Sequence, residues 1–267
     1  ALFSGPRLRR AVGPAVRQTR RNTSCRNTSP PRSTIVLVTH VCVCVCMLLS
    51  LLLVAASNDD AACAAGRPIR WGIMGSGLIS SDFVGALKAL PADEAKVIAV
   101  GARSLEAAQA FATSLGVPKA HAGYEALAND PDVDVVYVGT VAQTHADCAR
   151  IALAAGKPVL VEKPLAMNGE EAAELVALAK SRGLFLLEGM WTRFFPAVVK
   201  ARELLEAGAI GEVVAVSADF GWPADPDGEH GRTVDPVSGG VGMDVAMYPV
   251  AHVLLAAGAT PPASVVA

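Results

Sequence analysis

Residues 69–83, IRWGIMGSGLISSDF, constrain the fold more than any other stretch of the chain. A short apolar run breaks at a glycine pair and apolar residues then return at helical spacing, which predicts a strand, a tight turn and a helix start. Glycine lets the backbone approach a pyrophosphate, and the unpaired N–H groups of a helix N-terminus favour an anion. We therefore expect a nucleotide site at the residues of this turn, which are Gly75, Ser76, Gly77, Leu78 and Ile79.

The turn by itself is a weak signal, because Ser80 stands where the dinucleotide-binding fingerprint has a third glycine or alanine. The pattern that follows supplies the context. From Ile69 onward, short apolar runs alternate with helical segments that end in glycine, as a parallel sheet with helices on both faces requires. The sequence thus predicts the α/β class and a doubly wound Rossmann domain over residues 67–190.

The pattern changes after this domain. An amphipathic helix, an alternating strand and a polar loop from Trp222 to Pro236 predict an α+β substrate domain over residues 191–267. The final residues, PASVVA, are typical of the beginning of a strand. We therefore expect this second domain to be truncated.

Residues 1–66 form a basic and hydrophobic segment that we exclude from the fold prediction. Residues 35–56 are apolar and long enough to cross a bilayer, and arginines precede them, as in a signal peptide or a membrane anchor. The Val-Cys repeat within them and the first residue, Ala1, fit an error of gene prediction equally well. A membrane contact is expected only through residues 35–56, if they are translated.

The composition excludes some classes of partner. With 52% hydrophobic residues, 18% charged residues and a net charge of −2, the chain lacks the basic excess that a nucleic-acid partner would need. Five of the six cysteines lie within residues 1–66. Neither a disulfide framework nor a metal site is therefore expected.

A strand-like run at residues 158–164, PVLVEKP, ends in Glu162 and Lys163. The carboxyl ends of parallel strands are where α/β sheets bind ligands, and Pro164 keeps the preceding lysine in an extended conformation. A surface lysine beside a turn proline is the simpler alternative.

Asp244, Tyr248 and His252 recur every four residues, which predicts one face of a helix that begins near Asp244. Pro249 is compatible with this helix only within its first turn. The alternatives are a helix N-cap for Asp244, a packing role for Tyr248 and a core position for His252.

A tyrosine acts as a base near neutrality only if a cation such as Lys163 stabilises its phenolate, because its ordinary pKa is about 10.

The second predicted strand ends without the carboxylate that commonly binds the ribose of NAD. Arg103 and Ser104 stand there instead and can meet a 2′-phosphate. The sequence favours NADP as the cofactor, with NAD as the alternative.

Several linked motifs resemble the glucose-fructose oxidoreductase and inositol dehydrogenase family, Gfo/Idh/MocA. They are GSGLIS at 75–80, the run 138–166, EGMWTRFFPA at 188–197 and SGGVGMDVAMYPVAH at 238–252. The third is similar to the branch that contains dimeric dihydrodiol dehydrogenase, an enzyme that is also an NADP-dependent D-xylose dehydrogenase.

This resemblance implies roles for individual residues. Lys163 would contact the nicotinamide ribose and the substrate hydroxyl, Tyr248 would be the acid/base, and Asp244 would lie in the active site. Thr140 and His145 match the motif T-P-x-x-x-H of the cofactor loop, although Val141 replaces its proline. The candidates for the substrate pocket are Trp191, Arg193, Phe194, Arg232 and His252. The aromatic residues among them fit packing at the domain junction equally well.

We expect an NADP-dependent oxidoreductase that takes a hydride from a D-xylose-like aldose, giving the lactone, or from a cyclic trans-dihydrodiol. The alternatives are a non-catalytic nucleotide-binding family member and an inactive fragment. A homo-oligomer is expected if the C-terminal sheet is present. Because NADP is scarce outside the cell, a cytoplasmic or organellar location is favoured over a secreted or anchored protein.

Overall fold

A six-stranded parallel sheet organises the first part of the chain. The computed structural model describes residues 33–38, 66–221, 235, 237–258 and 260–266. The strands are β2 (Ile69–Met74), β3 (Ala95–Ala102), β4 (Lys119–Ala122), β5 (Val135–Val138), β6 (Val159–Val161) and β7 (Leu186–Glu188). Their order is β4-β3-β2-β5-β6-β7, and every neighbouring pair is parallel. This order reverses between β2 and β5, which is where such sheets bind ligands.

Helices cover both faces of this sheet, so the prediction of a doubly wound α/β domain is confirmed. The helices are α1 (Leu78–Lys88), α2 (Leu105–Leu115), α3 (Tyr124–Ala128), α4 (His145–Ala154) and α5 (Gly169–Ser181). Side chains alternate along each strand: Ile73 and Tyr137 pack with α1 and α2, whereas Met74 and Val138 pack with α3, α4 and α5. Two apolar cores result, one on each face.

The short edge strand β4 was not predicted as a strand. Its sequence, KAHA, lacks β-branched and aromatic residues, so its local propensity is low. Pairing with β3 supplies the backbone hydrogen bonds that define it. Its position at the edge of the sheet explains how such a polar segment is accommodated.

Ion pairs hold the amino-terminal edge of the sheet. Asp134, just before β5, accepts hydrogen bonds from Arg67 Nη1 at 2.7 Å and from Arg70 Nη2 at 2.9 Å. The backbone N–H of Arg70 also donates to it, at 2.9 Å. Burial alone would raise the pKa of Asp134, but these bonds hold it well below its usual range.

The second part of the chain carries fewer elements. A 3-10 turn at Trp191–Phe194 is followed by α6 (Pro196–Glu206), β8 (Val213–Asp219), α7 (Gly240–Asp244) and α8 (Met247–Ala256). The predicted amphipathic helix and alternating strand correspond to α6 and β8. Strand β8 pairs in parallel with β1 (Ser33–Val38), which lies in the segment that the fold prediction had excluded.

The expectation of a membrane-spanning segment concerns residues 35–56, of which 39–56 lie outside the described residues. Within the described part of the chain, no helix has both the length and the apolar character needed to span a membrane.

The segment around Tyr248 differs from the single helix that was predicted to begin near Asp244. Helix α7 ends at Asp244, and α8 begins after a two-residue break. Pro249 has no N–H to donate to the Val245 carbonyl, so the Tyr248 N–H donates to that oxygen instead, at 3.0 Å. Asp244 and Tyr248 therefore lie on different helices, while Pro249 falls in the first turn of α8 as expected.

Candidate active site

The glycine turn has the geometry of a nucleotide cradle. Gly75 has φ +102°, and a Cβ added there would lie 2.7 Å from the carbonyl oxygen of Gly139, so a side chain does not fit. A Cβ on Gly77 would meet nothing within 4 Å among the described residues. The start of α1 has neither a side-chain cap nor an acidic residue in its first turn within the described structure. Its first N–H groups are therefore suited to an anion.

Ser80 occupies the position of the third glycine of the fingerprint, and the structure shows how a serine fits there. Its side chain is fully buried, and its Oγ donates to the Gly139 carbonyl oxygen at 3.2 Å. Gly139 has no room for a Cβ, which would clash with Ser80 Oγ. The hydroxyl thus closes the contact between α1 and the end of β5, where a smaller residue is usual.

The predicted pair for a 2′-phosphate lies between β3 and α2. Ser104 is the N-cap of α2, and its Oγ accepts a hydrogen bond from the Ala107 N–H at 3.2 Å. Arg103 is exposed beside it. Arg103 can meet a 2′-phosphate directly, and the Ser104 hydroxyl, which uses only an acceptor lone pair in its cap, can still donate its O–H.

His145, the first residue of α4, is almost fully buried. Its Nδ1 lies 2.7 Å from the Pro164 carbonyl oxygen, and its Nε2 lies 3.2 Å from the Thr140 carbonyl oxygen. Burial lowers the pKa of the imidazole more than these carbonyls raise it, so the neutral ring has one N–H to donate. The imidazole lies between the loops after β5 and β6 and donates to one of these two carbonyl oxygens. Thr140 Oγ1 accepts a further bond from Thr144 Oγ1 at 2.9 Å.

Glu162 directly follows β6, and its side chain lies on the same side of the sheet as Tyr137. The Tyr137 hydroxyl donates to Glu162 Oε1 at 2.8 Å, and the backbone N–H of Lys163 donates to Oε2 at 3.2 Å. Burial raises the pKa of Glu162, against the opposing effects of the Tyr137 hydrogen bond and the Lys163 charge. The carboxyl group thus supports the backbone from which Lys163 extends.

Lys163 joins the two parts of the chain. The Lys163–Pro164 peptide bond is cis. Lys163 Nζ donates to Asp244 Oδ1 and to the Asp244 carbonyl oxygen, each at 2.9 Å. Both side chains are mostly buried, with 16% and 13% of their surface exposed. The same Nζ lies 5.5 Å from the ring centroid of Tyr248, which is 5% exposed. The structure brings together the three residues that sequence reasoning named as catalytic candidates.

The substrate-pocket candidates are placed differently from one another. Trp191 packs beside Tyr248 and Met190, whereas Arg193 is exposed. His252 is buried, and its Nδ1 lies 2.8 Å from the Tyr248 carbonyl oxygen. The predicted substrate candidate Arg232 lies outside the described residues, and Phe194 is half-buried in the 3-10 turn.

Sequence reasoning missed two polar contacts in this region. The Tyr137 hydroxyl reaches Glu162, and Gln143 Nε2 donates to Asp235 Oδ1 at 3.2 Å. A tyrosine inside an otherwise aliphatic strand was an available signal for the first contact. The second contact joins positions 92 residues apart, and no local sequence pattern predicts it.

Comparison with known proteins places this geometry in a family. Residues 69–190 match the family model described as an oxidoreductase family with an NAD-binding Rossmann fold, and residues 198–267 match the GFO/IDH/MocA C-terminal domain. The chain belongs to the GFO/IDH/MocA oxidoreductase family. The resemblance inferred from the motifs is confirmed.

Curated relatives include trans-1,2-dihydrobenzene-1,2-diol dehydrogenases. The protein from Bos taurus is 46% identical over 180 residues, which cover 67% of this chain and 53% of that protein. The protein from Xenopus laevis is 44% identical over 199 residues, covering 74% of this chain and 59% of that protein. The chain therefore spans about half the length of the curated relatives that it matches.

Solved structures share the fold. A mutant of a 3-ketoreductase from Actinomadura kijaniata, in complex with TDP-benzene and NADP, matches with a TM-score of 0.62 and 34% identity over 71% of this chain and 57% of that chain. An NAD binding oxidoreductase from Klebsiella pneumoniae matches with a TM-score of 0.52 and 30% identity over 54% of this chain and 40% of that chain.

Proposed function

We propose that this protein is an NADP-dependent oxidoreductase that takes a hydride from a CH–OH group of a D-xylose-like aldose or a cyclic trans-dihydrodiol. The observation that carries the proposal is the meeting of Lys163, Asp244 and Tyr248 at the carboxyl edge of the sheet. A cation, a carboxylate and a phenol beside a nucleotide cradle are the groups that hydroxyl oxidation requires. The dihydrodiol dehydrogenases at 43–46% identity support the substrate class.

The chain's own residues fit the cofactor. The open space at Gly77 and the uncapped start of α1 suit a pyrophosphate, and Leu78, which is 80% exposed, borders the same opening. The exposed guanidinium of Arg103 suits a 2′-phosphate. Thr140, at the end of β5, and Lys163, after β6, flank the position expected for the nicotinamide ribose. When bound, NADP supplies the hydride acceptor.

The residues divide the proton chemistry among them. Tyr248 takes the proton from the substrate hydroxyl, and the Lys163 ammonium stabilises the phenolate that performs this step. Asp244 holds Nζ of Lys163 in place and orients the substrate hydroxyls. Glu162 and Tyr137 support the Lys163 backbone from the other side. An aldose in its ring form gives a lactone as product.

Each part of the chain has its own role in this proposed reaction. Residues 67–190 bind the nucleotide, and residues 191–267 contribute part of the substrate domain. Trp191 and Phe194 line the pocket on the side of the 3-10 turn, and His252 supports Tyr248 through its carbonyl oxygen. The working form is a homo-oligomer if the C-terminal sheet is present, in a cytoplasmic or organellar compartment where NADP is abundant.

The test is cofactor reduction, followed by absorbance at 340 nm, with the full chain, NADP or NAD, and D-xylose, D-glucose and a trans-dihydrodiol as substrates. We expect turnover with NADP and a loss of about 10²- to 10⁴-fold in Lys163→Met, because the variant lacks the cation that stabilises the phenolate. The matched control is Lys96→Met, since Lys96 is exposed on β3, away from the cleft.

Two results would contradict the proposal. Full activity in Lys163→Met would remove the lysine from the mechanism. Tight NADP binding without turnover on any substrate of the panel would favour the alternative of a non-catalytic nucleotide-binding protein.

A further inference from the structure

A second side-chain contact joins the nucleotide-binding part of the chain to the part that carries Tyr248. Gln143 lies in the 3-10 turn Ala142–Thr144, directly after β5, and its Nε2 donates to Asp235 Oδ1 at 3.2 Å. Both side chains are partly buried at this contact. The link from Lys163 to Asp244 connects the same two regions of the chain.

Asp235 organises the turn that follows it. Its Oδ1 accepts hydrogen bonds from the N–H of Val237 at 2.9 Å and from the N–H and the Oγ of Ser238 at 2.8 and 3.3 Å. Its carbonyl oxygen accepts from the Gly239 N–H at 2.8 Å. The bonds from Ser238 and Val237 hold the pKa of Asp235 below its usual range, so the acceptor is an anion and its hydrogen bonds are charge-assisted.

The turn leads directly into α7, the helix that ends at Asp244. A displacement of Asp235 is therefore transmitted over a short, hydrogen-bonded segment to the carboxylate that holds Lys163. At the other end of the contact, Gln143 belongs to the loop at the carboxyl end of β5, beside the position proposed for the nicotinamide.

We propose that Gln143 and Asp235 are positioning residues that fix residues 237–239, and with them Asp244 and Tyr248, against the carboxyl edge of the sheet. The catalytic consequence rests on the proposed function, whereas the contact and its effect on the turn do not. Neither residue touches the reacting atoms; both act through the placement of the Asp244 and Tyr248 helices.

The test combines hydrogen–deuterium exchange with kinetics on the full chain. In Gln143→Ala, we expect the amides of 237–239 to exchange about fivefold faster, because the turn loses one charge-assisted bond, while the amides of α2 stay unchanged. Gln143→Glu should increase exchange further, since two carboxylates then face each other. Adding Asp235→Asn to Gln143→Glu should slow exchange relative to Gln143→Glu alone, because the two facing carboxylates are no longer both charged; recovery is partial, since the N–H groups of Val237 and Ser238 then bond a neutral oxygen. Gln109→Ala, on the exposed face of α2, is the matched control.

Kinetics separate positioning from a general loss of stability. For Gln143→Ala we expect kcat to fall about three- to tenfold with the affinity for NADP changed by less than twofold, because the cradle at Gly75 is untouched. Unchanged exchange in 237–239 for both Gln143 variants would overturn the inference, as would exchange in the double variant that is no slower than in Gln143→Glu.

The two proposals fail in different ways. If the unaltered chain turns over no substrate but Gln143→Ala speeds exchange in the turn, the contact stands and the proposed function falls. If the unaltered chain is active and Gln143→Ala changes neither exchange nor kcat, the proposed function stands and this inference falls.

Discussion

The two edges of the parallel sheet are built from opposite principles. At the amino edge, charged side chains satisfy one another: Asp134 accepts from Arg67 and Arg70, and Asp130 accepts from Lys119 and lies 3.0 Å from His121 Nε2. At the carboxyl edge, the glycine turn has open space at Gly77, and two large apolar side chains are exposed. Leu78 and Val141 there are 80% and 62% exposed.

This difference separates stability from ligand binding along one set of strands. The ion pairs at the amino edge join the start of β2 to the residue before β5. They thereby stabilise the register of the two strands, which determines the positions of their carboxyl ends. Polar and apolar groups that can contact a ligand lie at the carboxyl edge, where the strand order reverses. Substitutions at the two edges should therefore affect different measurements.

The largest expected effect is at the carboxyl edge. Tyr248→Phe removes the group that takes the substrate proton, so we expect NADP-dependent turnover to fall by about 10²- to 10⁴-fold. The aromatic packing against Phe220 is kept, and the free energy of unfolding should fall by no more than about 1.5 kcal/mol. Absorbance at 340 nm and urea unfolding measure the two quantities. Turnover close to that of the unaltered chain would remove Tyr248 from the proposed mechanism.

Two glycines divide the cradle into a structural and a binding position. Gly75→Ala should cost about 2–3 kcal/mol of stability, because its backbone has φ +102° and a Cβ would meet Gly139. Gly77→Ala has open space and should leave stability within about 1 kcal/mol while weakening NADP binding, since the added methyl group occupies the path of the pyrophosphate. Calorimetric titration with NADP and thermal unfolding distinguish the two. Equal NADP affinity in Gly77→Ala and the unaltered chain would contradict the placement of the pyrophosphate.

The amino edge should show the reverse behaviour. Asp134→Ala removes the acceptor for both arginines and leaves the Arg70 backbone N–H without its partner, which should cost about 2 kcal/mol. Turnover per folded molecule should not change. Asp147→Ala, which breaks an exposed pair with Arg150, is the control and should cost no more than about 0.5 kcal/mol. A loss of NADP affinity in folded Asp134→Ala would break the separation of the two edges.

The smallest effect is a pH dependence of stability. The pKa of Asp134 is lower in the folded chain than the ordinary value near 4, so its contribution is complete above that value and is lost as the pH falls toward the folded pKa. Asp130 shifts in the same direction. Urea unfolding between pH 6 and pH 3 should show a decline that is smaller in Asp134→Asn by about 1 kcal/mol. Parallel declines in the two proteins would show that Asp134 does not contribute.

The sequence predicted the strands and helices that have strong local signals. The glycine turn, the apolar run of β5 and the amphipathic helix α6 each have a distinctive local sequence, so a local pattern is enough to find them. Strand β4 was not predicted because its KAHA sequence has no such pattern and the strand forms through pairing with β3. The break between α7 and α8 was not predicted because it depends on which backbone N–H donates to the Val245 carbonyl oxygen.

The sequence by itself determined the class of the fold, the family and the residues that gather at the site, because glycine spacing, strand periodicity and the motif around Lys163 are local properties of the chain. Only the tertiary structure decided that Lys163 Nζ donates to Asp244, that His145 lies between two carbonyl groups and that Gln143 meets Asp235. These contacts join residues from separate loops or distant parts of the chain. Distances across such separations are set by the packing of helices on the sheet, which no run of neighbouring residues encodes.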